Sequence, residues 1–217
     1  MPHYHFCAQR SDEWHDRRRN VVCTASEAGD VMARARFDPK PLLCKRIGQR
    51  LLSRSLDGSV TAAMQRGIDN EPDAVKQFSR ITGLGVRQVG FITTDDERFG
   101  CSPDGLIIGE HEGLEIKCRE VHHHVRHMLK GATDEYYAQL QMQCWVADLR
   151  AVHFYAYHPE LPPGYERVLR DEGYIAKLVP ALFDFAARFD AALETAQQKY
   201  ERFWDTYGNN WREGDEE

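Results

Sequence analysis

Three charged residues interrupt an otherwise apolar pair of segments in "CSPDGLIIGEHEGLEIK", residues 101–117: Asp104, Glu115 and Lys117. Side chains alternate along an extended strand, so Glu115 and Lys117 share one face while Leu114 and Ile116 take the other. Neighbouring strands lie about 4.8 Å apart. A hairpin turning through "GEHEG" would therefore bring Asp104, at the mouth of the preceding strand, close to Glu115. Two carboxylates placed in this way can share a hard divalent cation such as Mg²⁺. Lys117 can then orient, or help deprotonate, a metal-bound water that attacks a phosphodiester. Spacing alone reads more simply as a solvated strand face with a Lys–Glu pair of little energetic weight. The apolar residues on the alternate positions point the other way, because a buried carboxylate and lysine need a reason to be there.

The elements that would position these residues follow from periodicity. From Ser11 to Thr82 the pattern is helical: "SDEWHDRRR" opens on an N-cap serine, "TASEAGDVMARA" reads as a second helix, and "KPLLCKRIGQRLLSRS" carries apolar residues at helical spacing. "TAAMQRGIDNEPDAVKQFSRITG" continues the helical region, with a break or a new first turn expected at Pro72 and a stop at Gly83. The period then changes from about 3.6 to about 2, and "GVRQVGFITTD", "DGLIIG" and "GLEIKC" read as consecutive strands. Helices over "EVHHHVRHMLKG" and "DEYYAQLQMQCWVAD", strands over "RAVHFYAYHP" and "YERVLRD", and a long terminal helix with Pro180 as a kink point complete the order. The fold class is α/β, a mixed central sheet flanked by helices. No G-x-G-x-x-G or P-loop sequence offers a glycine cradle for phosphate.

At 217 residues the chain is expected to form one domain over 1–217, with a helical N-terminal region (residues 1–83) packed on an α/β core (residues 84–217). No apolar run approaches the roughly 18 residues of a membrane span, and the polar start shows no signal peptide. Six scattered cysteines without a C-x-x-C pair suit reduced thiols in a cytoplasm. A net charge of −6 counts against a general nucleic-acid coat. The charge is unevenly spread, however: Arg10 to Arg54 holds 11 Lys and Arg against 6 Asp and Glu, while Glu201 to Glu217 holds 2 against 6. A basic face with an acidic tail elsewhere is expected.

Five blocks in this order, "WHDRRRNVVCTASE", "RGIDNE", "CSPDGLI", "GLEIKC" and "YYAQLQMQCWV", make nearly the whole chain resemble the phage lambda exonuclease, or YqaJ-type viral recombinase, family. The resemblance implies a PD-(D/E)xK nuclease with a restriction-endonuclease-like core. It makes Asp104, Glu115, the carbonyl of Ile116 and Glu71 the ligands of Mg²⁺, as two ions with Mn²⁺ as a substitute, Lys117 the catalytic lysine and Gln139 the active-site glutamine. It gives Ser26, Ser102 and one arginine of "RRR" to the 5′ phosphate of a DNA end. Trp14 would stack on a base, although it also suits a core, and Met64 would be a wedge between the last base pairs, although it also suits packing. Between Trp14 and "TAS" the chain has one residue more than the lambda pattern. Counting from Trp14 therefore selects Arg18, one turn on along the same helix face, and counting back from Ser26 selects Arg19. The Asp104 to Glu115 separation is also one longer, which a longer turn absorbs.

The implied activity is 5′-to-3′ digestion of duplex DNA from phosphorylated ends, releasing mononucleotides and leaving 3′ single strands for annealing recombination. A homotrimeric ring, a single-strand annealing protein as partner, and a bacterial cytoplasm with a phage or prophage origin go with it. An endonuclease or nickase on the same core, or an idle DNA-end-binding protein, are the alternatives. "HHHVRH" places His123 and His127 one helical turn apart, but no further ligand stands at a telling distance, so zinc is not expected. Cys118 is expected to pack as a small apolar residue.

Overall fold

The computed structural model describes residues 1–33, 41–56, 60–131 and 133–207. Helix α1 (Asp12–Asn20) begins where the Ser11 hydroxyl accepts the Trp14 amide at 3.3 Å. It carries Asp12 and Glu13 in its first turn and Arg17, Arg18 and Arg19 in its last, the order that suits the helix dipole. The helix expected over "TASEAGDVMARA" is shorter: Cys23–Thr24 is a strand, Ala25–Glu27 a turn of 3-10 helix, and only Ala28–Met32 forms α2. The reason is a capping box. Glu27 accepts the Thr24 amide and hydroxyl at 3.0 and 2.8 Å, so helical structure cannot begin before Ala25. Residues 34 and 35 of that stretch, and the acidic tail beyond 207, lie outside the described residues.

Helices α3 (Pro41–Leu52) and α4 (Ala62–Thr82) follow. The Thr61 hydroxyl caps α4 by accepting the Met64 amide at 3.2 Å, and Gly83 ends it at φ 75°, the left-handed conformation that glycine adopts without a Cβ penalty. Pro72 does not break this helix. It costs one backbone hydrogen bond, while the helix stays anchored through Ala74 and Phe78, both wholly buried. Later come α5 (Val121–Lys130), α6 (Thr133–Val146) and α7 (Glu172–Tyr207), the last running through Pro180.

The strands form two mixed sheets. One has four strands in the order β1 (His3–His5), β4 (Phe91–Thr93), β5 (Phe99–Cys101), β2 (Cys23–Thr24), with β2 parallel to β5. Two of its strands thus come from the N-terminal region expected to be helical. The other has five: β3 (Val86–Arg87), β6 (Gly105–Ile107), β7 (Glu112–Lys117), β8 (Ala151–His158), β9 (Leu161–Leu169). The stretch "GVRQVGFITTD" is therefore divided between sheets. Strands β7 and β8 are parallel, which requires a crossover, and α5 with α6 supply it.

Packing follows the alternation along β7. A large apolar cluster gathers Leu140, Met142, Val152, Phe154, Leu178 and Leu182 from β8, α6 and α7. A smaller one, with Phe78, Leu114, Ile116 and Tyr155, lies between the five-stranded sheet and α4. Glu115 and Lys117 therefore point to the α6 side, and Leu114 and Ile116 to the α4 side.

Candidate active site

The β6–β7 hairpin pairs Gly105 with Leu114 and Leu106 with Gly113. Asp104, one residue before β6, consequently falls beside Glu115, and its Oδ2 accepts the Ile116 amide at 2.6 Å. The turn occupies residues 108–111, with Gly109 at φ 82°. Glu112 and Gly113 of "GEHEG" already belong to β7.

Glu115 is only 3% exposed, and both of its oxygens are engaged. Oε1 accepts from Lys117 Nζ at 2.5 Å and from Gln139 Nε2 at 2.6 Å, and Oε2 accepts from Gln143 Nε2 at 2.6 Å. The two glutamines stand one turn apart on α6 and grip the carboxylate from the same side. Gln143 was not singled out by the sequence, although its i+4 spacing from Gln139 was the available clue. Gln141 faces elsewhere, bonded to the Leu169 carbonyl and the Asp171 amide at 2.9 and 2.8 Å.

Lys117 Nζ lies 4.9 Å from the centre of the Tyr136 ring. Burial works to discharge this lysine, but Glu115 and Asp104 outweigh it and hold the amine above its usual range, as an ammonium. Burial first, and then the charges of Glu115 and Glu71, push the Asp104 carboxyl well above the usual carboxylate range. The Cys118 thiol, half-buried at the edge of the α4-side cluster, is raised to about 12 by burial and by Asp104 and Glu71, so it is no nucleophile at neutral pH.

Asp104, Glu115, Ile116, Lys117 and Glu71 line one cleft of about 800 Å³, together with Arg10. Arg10 ion-pairs with Glu71, a contact that the sequence did not reveal. The donors are hard oxygens, and burial followed by the charges of Glu115 and Glu71 raises Asp104; the set fits a hard divalent cation in its chemistry. As the side chains stand, they are engaged with Lys117, Gln139, Gln143 and Arg10. Among the described residues no three His, Cys, Asp or Glu side chains are close enough together to grip an ion. Met64, 54% exposed on the first turn of α4, lines the same cleft rather than packing in a core.

The residues expected at a DNA end gather on α1 and on the parallel pair β2–β5. Thr24 is paired with Gly100, and Ser26 and Ser102 each follow two residues later at the same end of the pair. The Ser102 hydroxyl donates to the Gly90 carbonyl at 2.6 Å and accepts from Trp14 Nε1 at 2.9 Å. Trp14 is thus fixed by its indole nitrogen, and the Arg18 guanidinium lies 4.6 Å over its ring. Arg19 pairs with Asp16 at 2.8 Å. Arg18 and Arg19 share a small polar pocket with buried Arg46.

The histidine tract is divided by the helix. His124 and His127 are buried, the first bonded to the Pro162 carbonyl at 2.8 Å and the second against Tyr136 and Phe154. His123 instead lines the cleft, and His122 lies against it.

Comparison with known proteins bears on the fold and the family. An alkaline exonuclease from Laribacter hongkongensis (LHK-Exo) superposes with a TM-score of 0.80 and 31% identity, over 89% of this chain and 100% of that one. The same enzyme in complex with dAMP gives equal figures, a TM-score of 0.80 and 31% identity over 89% and 100% of the two chains. A phage related exonuclease from Haemophilus somnus 129PT, at 13% identity and a TM-score of 0.64 over 80% of this chain and 96% of that one, shares the fold. No curated protein matches the sequence. Residues 13–150, from α1 through α6, match the pattern of the YqaJ-like viral recombinase domain, and the chain belongs to that family.

Proposed function

We propose that the protein is a Mg²⁺-dependent 5′-to-3′ exonuclease on duplex DNA that enters at phosphorylated 5′ ends, releases mononucleotides and leaves a 3′ strand for annealing recombination. The observation that carries the reading is the union of Asp104, Glu115 and Lys117 in one cleft by a hairpin, with Gln139 of the crossover helix bonded to Glu115. The likeness to an alkaline exonuclease at 31% identity supports it.

Asp104, Glu115, Glu71 and the Ile116 carbonyl would hold the metal, with Mn²⁺ as a substitute. When bound there, Mg²⁺ would supply Lewis-acid stabilisation of charge on the phosphate and the leaving oxygen. Gln139 and Gln143 fix the Glu115 carboxylate, and Glu115 in turn fixes Lys117. As an ammonium, Lys117 donates hydrogen bonds that orient the attacking water and stabilise developing negative charge. Ser26, Ser102 and Arg18 would receive the terminal phosphate, and Met64 at the mouth of the cleft would part the last base pairs. Contacts confined to the backbone would let the enzyme digest any sequence. The reading extends to a homotrimeric ring around the DNA, a single-strand annealing partner and a bacterial cytoplasm.

The test is digestion of linear duplex labelled at each end in turn, with and without 5′ phosphate and with and without Mg²⁺. Release of label as mononucleotide from the 5′ end, dependent on phosphate and on Mg²⁺, is the expected result. First release from the 3′ end, or equal activity after chelation, would refute it.

A further inference from the structure

Arg10 stands at the cleft in a backbone conformation that side chains rarely adopt. Its φ is 68°, in the left-handed region, and the turn that holds it there is pinned on both sides. On one side the Ser11 amide and hydroxyl donate to the Ala8 carbonyl at 3.2 and 2.7 Å, and Ser11 also caps α1. On the other, Gln9 Nε2 donates to the carbonyls of Val89 and Pro103 at 3.0 and 2.9 Å. Pro103 directly precedes Asp104. The turn is thereby fastened to the segment that carries one candidate metal ligand, and its outward residue pairs with another, Glu71.

The charges of the cleft explain what the pair does. Lys117 answers Glu115, and Asp104 has a backbone amide and a carboxyl pushed upward by burial and then by its acidic neighbours. Glu71 is left with Arg10. The Arg10 side chain is 43% exposed and Glu71 only 15%, so the guanidinium approaches from the open side of the cleft, where a DNA strand would run. A planar guanidinium matches a phosphate as well as it matches a carboxylate.

We propose that Arg10 is a displaceable counter-cation: it neutralises Glu71 while no divalent ion is bound, yields that carboxylate to the ion, and then pairs with a phosphate of the DNA strand. The proposal rests on the metal reading given above. It couples the loading of the cleft with metal to its grip on DNA, through a residue that does not itself ligate the metal.

Calorimetric titration of Mn²⁺ into the DNA-free protein tests the first half. Arg10→Gln and Arg10→Gly are expected to bind Mn²⁺ about two- to fivefold tighter than the parent, the range that a partly exposed ion pair allows. Arg10→Lys, which keeps the charge, should stay near the parent value. Glycine also suits the left-handed backbone, so Arg10→Gly remains informative if Arg10→Gln proves unstable. For the second half, binding of 5′-phosphorylated duplex with Mn²⁺ present is compared in Lys117→Ala and in Lys117→Ala combined with Arg10→Gln; the added change should weaken binding several-fold. Unchanged or weaker Mn²⁺ affinity in both Arg10→Gln and Arg10→Gly, with Mn²⁺ bound by the parent, overturns the proposal and leaves the metal reading standing. Unchanged duplex binding overturns its second half. Absence of Mn²⁺ uptake by the parent overturns both the metal reading and the proposal.

Discussion

At the scale of single residues, Glu115 is a carboxylate that the fold tolerates inside only because three donors surround it. Removing a donor weakens the hold on a buried charge, and only the loss of Gln143 leaves one of its oxygens without a partner. Lys117→Ala should reduce cleavage of linear duplex by about 10²–10³-fold, the usual worth of a donor aimed at developing negative charge. Binding to duplex ends should survive, measured by anisotropy with the same DNA. If that variant digests DNA at the parent rate, the cleft is not where catalysis occurs. Gln143→Leu should cost about 1–3 kcal/mol in urea unfolding, because Oε2 of Glu115 then has no partner in a buried site. Asp104, Glu115 and Lys117 were legible because their relation is local: alternation along one strand and a short hairpin. Arg10 was not, because its partner Glu71 lies 61 positions away and nothing in "AQRSD" reveals a left-handed backbone.

At the scale of elements, β7 places an acid on each of its faces. Glu115 faces α6, and Glu112, read as part of a turn, is buried toward α4. Arg167 grips Glu112 through both oxygens at 2.9 and 2.5 Å, and His153 Nε2 adds a contact at 2.8 Å. The Arg167 guanidinium, followed by His153, holds the Glu112 carboxyl down at about 2 against an ordinary 4.5, despite burial. His153 itself is lowered by burial and stays neutral at pH 7. A depressed carboxyl stabilises the fold above its unfolded value and loses that contribution as pH falls toward its folded one. Glu112→Gln should therefore lower stability by about 2 kcal/mol at pH 7, less than the full shift implies because Arg167 is partly exposed. The gap between variant and parent melting temperatures should close as pH falls from about 4.5 toward 2; a gap independent of pH would show that the acid is not ionised in the fold. Long periodic elements such as α4, α7 and β8 were legible in the sequence. Strands β1, β2 and β5 were not: each has two or three residues, too few to show a period, and each is fixed by pairing with distant chain.

At the scale of the whole molecule, the net negative charge conceals a basic corner where α1 meets α3. Arg46 of α3 is buried there, donating to the Arg18 carbonyl at 2.9 Å and pairing with Glu27, so it ties the last turn of α1 to the turn that carries Ser26. The same corner reaches Ser102 through Trp14, over whose ring Arg18 lies. The resemblance left Arg18 and Arg19 open, and we propose Arg18, which lies over the Trp14 ring whose Nε1 meets Ser102; Arg19 pairs with Asp16 on its own helix. If this corner receives the 5′ phosphate, its loss should change which ends are chosen without changing the chemistry at Lys117. Arg18→Ala should digest phosphorylated and hydroxyl 5′ ends at nearly equal rates in competition, and Arg19→Ala should keep most of the parent preference. Both should retain their rate on a saturating phosphorylated substrate within several-fold. The same assay should include a closed circular duplex, which has no end to offer and should remain intact with every variant; cutting of the circle as fast as the linear form would mean an endonuclease. An unchanged end preference in both arginine variants would remove the phosphate pocket from this corner and leave the basic cluster to hold the duplex farther along.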